Sequence, residues 1–125
     1  MTISDEQFSA MISQAMEELP QKYIKNLDNV AITYADTPTP DQLSKQGVRE
    51  GQLLLGLYEG IPLTERGAGY SLVLPDKITI FKIPILQLSH DEQDLFRRVK
   101  HTLWHEIAHH YGLDHDRIHQ LENQN

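Results

Sequence analysis

The sequence predicts an α+β fold: a small mixed β-sheet of three to four strands packed against an N-terminal helix and a long C-terminal helix. Three observations predict it. Apolar residues recur at helical spacing near both ends of the chain, and a capping pattern opens each run. Between them lie short runs that read as strands, punctuated by proline and glycine. The chain has 125 residues, enough for one core and too few for two, so residues 1–125 form a single domain.

Ser4 and Gln7 make the first capping box, and Phe8, Met11, Ile12, Ala15, Met16 and Leu19 follow on one helical face. Pro20 suits the start of a short second turn reaching about Leu27, since its missing N–H is dispensable there. Val30–Ala35 reads as a strand, stopped by Asp36-Thr37-Pro38-Thr39-Pro40, a loop whose prolines cannot join a sheet ladder. A second strand is expected at Leu53–Tyr58, followed by a long connection through Gly60, Pro62, Gly67, Gly69 and Pro75. Long loops carrying aromatic and charged residues are often functional, so this one is expected to line a cleft. Lys77–Ile83 reads as a third strand, and Pro84 places it at a sheet edge. Ser89 and Glu92 form a second capping box that launches a helix from about Asp91 to Tyr111. Counting about 100° per residue, Leu95, Phe96, Val99, Leu103, Ile107 and Tyr111 share the half that should bury. Leu113–Leu121 closes the chain as a short helix or turn.

Composition narrows the function. Hydrophobic residues are 39% and charged residues 23% of the chain, which suits an ordinary soluble domain. The net charge is -7 and no run of Lys or Arg offers a phosphate-tracking stripe, so nucleic acid is not expected as a partner. No apolar stretch approaches a membrane span. The opening Met1-Thr2-Ile3-Ser4-Asp5-Glu6 is acidic and lacks the layout of a signal peptide. Without cysteine there is no disulfide framework and no thiolate ligand, and a cytoplasmic location is expected.

The chemistry concentrates in His105-Glu106-Ile107-Ala108-His109-His110-Tyr111-Gly112-Leu113-Asp114-His115, which reads H-E-x-x-H-x-x-G-x-x-H. Residues four apart on a helix lie one above the other, their Cβ atoms roughly 5–6 Å apart. Two imidazoles at that spacing can meet one ion at roughly 2.0–2.1 Å each, so His105 and His109 form a pincer. Glu106 is turned about 100° from His105, beside the ion, where it can take a proton from the attacking water. Gly112 can adopt a left-handed conformation that ends the helix, and the turn lets His115 swing back as third ligand. Three protein ligands leave a fourth tetrahedral position open, which separates a catalytic zinc site from a structural one. One Zn²⁺ ion is therefore expected.

The other histidines carry different expectations. His110 projects into the apolar half of the helix and reads as a hydrogen-bonded packing residue. His101 is four before His105, but a fourth protein ligand would close the site, so a supporting or solvated role is preferred. His90 and His119 read as surface residues. Asp114 or Asp116 can orient His115 through its N–H, or stand solvated in the turn.

HEIAHHYGLDHDRI resembles the active-site segment of the small bacterial zincin-like metallopeptidases, the minimal zincins. LLLGLYEGIPLTERGAGYSLVLPDKITIFKIPIL is similar to that family's middle segment, in which an E-G-x-P-L-T-x-R loop precedes a P-D-x-I-T-x-F strand. The similarity spans roughly residues 4 to 122. It implies a compact α+β zincin-like fold, a zinc site of His105, His109 and residue 115, and Glu106 as general acid/base. Members of the family often carry Asp where this chain has His115, and both residue types bind zinc.

The expected reaction is zinc-dependent hydrolysis of a peptide or unfolded protein, with the Lys77–Ile83 edge binding substrate by strand addition. Tyr70, Tyr111, Arg117 and His119 are the candidates for stabilising the oxyanion. Two other readings belong to different classes. A metal-dependent endoribonuclease is suggested by H-x-x-x-H-x-x-G-x-D-H in a family of RNA-maturation hydrolases, whose tail HHYGLDH matches. Glu106 and the -7 charge count against it. A non-catalytic module that uses zinc as a staple is the third reading. A peptidase this small can also require a protein partner to complete its cleft.

Overall fold

The computed structural model describes residues 1–61, 75–113, 117 and 120. Residues 62–74 of the long connection, Tyr70 among them, and most of the closing segment, including Asp114, His115, Asp116 and His119, lie outside the described residues.

Helix α1 spans Asp5–Glu18, and both halves of the Ser4/Gln7 capping box are made. Its buried Phe8, Ile12 and Ala15 face the core. Helix α2 (Gln21–Lys25) follows Pro20, and strand β1 takes Val30–Ala35. The proline-rich loop after it then does something the strand-blocking argument did not anticipate. Pro40 opens helix α3 (Pro40–Lys45), where Thr39 and Gln42 form a further capping box. Proline is well tolerated in a helix's first turn, where an N–H has no partner to lose.

Strand β2 runs Gly56–Glu59, three residues later than the apolar run suggested, and β3 runs Asp76–Phe81. The sheet order is β1-β3-β2, with β1 parallel and β2 antiparallel to β3. The expectation of an edge position for the third strand is therefore wrong. β3 is central, and five of its six residues are buried. Pro84 lies beyond the strand, in the first turn of helix α4 (Lys82–Leu88), and so says nothing about the sheet edge.

Helix α5 spans Glu92–Tyr111. Leu95, Val99, Leu103 and Ile107 are fully buried against Ile78, Ile80, Ile85 and the α1 face. Phe96 and Tyr111 pack on the margin of that core. Each fully buried aliphatic side chain here contributes about 1.5–3 kcal/mol. Among the described residues no helix is long and apolar enough to cross a membrane.

The start of α5 corrects one detail. Asp91, not Ser89, is the N-cap, its carboxylate accepting from Asp94 N at 2.7 Å. The Ser89 hydroxyl instead donates to Ile85 O at 2.7 Å. Asp94 is buried and accepts from His90 N (2.9 Å), Arg98 Nε (3.2 Å) and the Arg97 guanidinium. These donors, the His90 amide first, hold its carboxyl well below the usual carboxylate range. The unfolded chain takes up this proton at about pH 4, whereas the folded chain resists it to lower pH. Stability from Asp94 is thus complete above that value and declines as pH falls below it. Asp94→Asn is expected to lower the melting temperature at neutral pH, with the gap to the wild type narrowing below about pH 4. A gap that stays constant across an acid melting series would refute the ionic role.

Candidate functional site

The site is assembled on α5 by its own periodicity. Arg97, His101, His105 and His109 form one row of i, i+4 neighbours, and Asp94, Arg98, Thr102, Glu106 and His110 form the adjacent row. The first row lies toward solvent: His101 and His109 are exposed and His105 is half-buried. The second turns inward: Thr102, Glu106 and His110 are buried. His105 and His109 therefore stand on the flank of the helix's buried half.

Glu106 is only 8% exposed. Its Oε1 lies 3.1 Å from His109 Nδ1. That hydrogen bond raises the His109 pKa against the opposing effect of burial, and committing Nδ1 to it leaves Nε2 for a ligand. The His101 and His105 rings are tilted against each other with centroids 4.7 Å apart. Among the described residues no three His, Cys, Asp or Glu side chains are placed together for a metal. The described donors nevertheless suit zinc: two imidazoles one turn apart on an open face, with a buried carboxylate beside them.

Gly112 ends the helix as expected, with φ 72° and ψ 30°. Its N–H and that of Leu113 return to His109 O and Ala108 O, each at 3.0 Å, which satisfies the last carbonyls and reverses the chain. Of the oxyanion candidates, Tyr111 is already committed. Its hydroxyl donates to Tyr23 O at 2.6 Å, and its ring packs on Tyr23 at 5.0 Å. Arg117 is exposed on the closing segment, 3.4 Å from Gln120 Oε1.

Two supports were not readable from spacing. The first is a buried network beneath the motif. Asp76 Oδ2, at the start of β3, accepts from the Tyr58 hydroxyl of β2 at 2.6 Å and lies 2.9 Å from His110 Nδ1. Asp76 and His110 are 3% and 2% exposed. The packing role expected of His110 holds, and its partner comes from 34 residues away. His110 follows His109 in sequence, so anchoring it inward sets the rotation of α5 that turns His109 outward. Gly60 completes the network's wall, because a Cβ there would stand 2.5 Å from Asp76 Cγ.

The second support is Gly56, where β2 meets α5. A Cβ at Gly56 would lie 2.6 Å from Thr102 Cγ2 and 3.4 Å from Glu106 Cγ. Gly56→Ala is expected to destabilise by about 1–3 kcal/mol through overpacking. Thr102→Ser removes that methyl and should restore most of the loss. A Gly56→Ala protein that melts with the wild type would show that strand and helix are not in close contact.

A family model described as zincin-like metallopeptidase matches residues 27–125. A search of the curated proteins finds no match. Among solved structures, a conserved hypothetical protein from Thermo thermophilus is similar over 98% of this chain and 100% of its own. The two are 22% identical with a TM-score of 0.57, a likeness of fold.

Proposed function

Since the chain belongs to the zincin-like metallopeptidase family, we propose that it is a zinc-dependent peptidase with His105, His109 and His115 as ligands and Glu106 as general base. The observation that carries the reading is the open His105/His109 row with the buried Glu106 carboxylate beside it. Zinc, when bound, supplies a Lewis acid that polarises the carbonyl and makes water a nucleophile near neutral pH. Glu106 takes the proton from the attacking water and passes it to the departing amine. Its burial keeps competing solvent from that carboxylate.

The substrate is an extended peptide or an unfolded protein segment. It cannot add to β3, which is paired on both sides. Among the described residues the sheet edge next to the site is β2, where a Cβ added at Gly56 would stand 2.6 Å from Thr102 Cγ2 and 3.4 Å from Glu106 Cγ. Backbone hydrogen bonds along that edge would lay the chain across the α5 row.

Zinc-loaded protein is expected to hydrolyse a casein-type substrate and to leave structured RNA intact. A chelator should abolish the hydrolysis and added zinc restore it. Cleavage of RNA with casein untouched would replace this reading with the nuclease one.

A further inference from the structure

A cavity of about 290 Å³ opens beside the candidate site, lined by Leu55, Arg97, Arg98, His101 and Thr102. That volume is near the lower limit of ligand pockets, about 300 Å³, and suits one side chain or a chain end. It continues the two α5 rows that carry His105 and Glu106. Arg98 precedes His105 by seven residues, roughly 10 Å along the helix axis. An extended peptide covers that distance in about three residues.

The lining is cationic in a chain whose net charge is -7. Two guanidiniums share one carboxylate: Asp94 receives Arg97 and the Nε of Arg98, so the trio keeps one positive charge. Arg98 has no partner for its terminal nitrogens among the described residues. Its side chain is only 33% exposed, so those N–H groups are partly withdrawn from water. Its Nε bond holds the guanidinium plane in place, which prepares the other edge for a planar anion.

We propose that this cavity is a subsite for a carboxylate of the substrate, about three residues from the bond attacked, and that Arg98 is its principal contact. The proposal rests on the peptidase reading and gives it a specificity. The carboxylate belongs either to an acidic side chain or to the substrate's C-terminus, and one experiment separates these sources. Fluorescent peptides carrying a single Glu at successive positions, their Gln counterparts, and free-acid and amidated forms of each are titrated against zinc-loaded Glu106→Gln protein. The same peptides are offered to the wild type for cleavage.

Binding of the best carboxylate-bearing peptide is expected to exceed that of its neutral counterpart by about tenfold, the scale of one charge-assisted hydrogen-bonded contact. If Glu carries the preference, it peaks at one position and survives amidation; if the C-terminus carries it, amidation removes it. Arg98→Gln should bring the ratio close to one. The more exposed Arg97→Gln, which disturbs the fold less, should reduce it by a smaller factor. Equal binding of acidic and neutral peptides, or a ratio untouched in folded Arg98→Gln protein, would overturn the subsite. Carboxylate-selective binding without cleavage by the wild type would keep the subsite and overturn the peptidase reading instead.

Discussion

Glu106→Gln is expected to lower peptide turnover by at least about a hundredfold while leaving zinc content and fold intact. Glutamine has the same shape and keeps an oxygen that can accept from His109 Nδ1, so the contact at 3.1 Å can persist. It cannot accept a proton from water at neutral pH. The loss therefore falls on kcat, because the exchanged group acts on the proton in flight and not on the bound peptide. The variant also carries a spectroscopic signature. In the wild type the Glu106 hydrogen bond raises the His109 pKa. Without the carboxylate charge, the His109 titration in metal-free protein should move down, and NMR reads this directly. Retained activity in Glu106→Gln would remove Glu106 from the chemistry, whatever the His109 titration showed.

Asp76→Ala is expected to cost about 3 kcal/mol, or roughly 10 °C in melting temperature for a chain of this size. The change deletes the acceptor for the Tyr58 hydroxyl and the partner of His110 Nδ1. A polar group left unsatisfied at 2% exposure loses far more than a surface hydrogen bond is worth. Tyr58 and His110 remain 3.4 Å apart, and that contact recovers only part of the loss. His110→Phe should be milder than Asp76→Ala, since an apolar ring fills the space and leaves the Tyr58–Asp76 bond in place. Both variants should also weaken zinc binding, because α5 is then free to rotate and the His105/His109 face is less firmly presented. Thermal melting and zinc titration check the two consequences separately. An Asp76→Ala protein melting within about 1 °C of the wild type would mean that water replaces the carboxylate at no cost.

Much of the fold was legible because the relevant chemistry is short-range. The Ser4/Gln7 box, the periodic faces of α1 and α5 and the stop at Gly112 each depend on residues within one or two turns of one another. Even the errors at this level were local. Ser89 and Asp91 both suit an N-cap, and Asp91 takes the role because its carboxylate reaches Asp94 N while the Ser89 hydroxyl is drawn back to Ile85 O. Thr39 and Gln42 spelled out a cap for α3, but the neighbouring prolines masked it as a loop. The mistake over β3 was of another kind. Sequence order gives no direct measure of which strand sits in the middle of a sheet, and Pro84 lay too far on to say.

The spacing of His105, Glu106 and His109, and the left-handed end at Gly112, follow from helical geometry and one missing side chain. Chain-wide folding was needed for the rest: β3 between β1 and β2, Asp76 under His110, Gly56 against Thr102 and the arginines beside Leu55. The buried polar contacts among them join residues 18 to 52 positions apart. Their partners are selected by which buried polar groups can satisfy one another and which backbones can touch, conditions that exist only after the layers have packed.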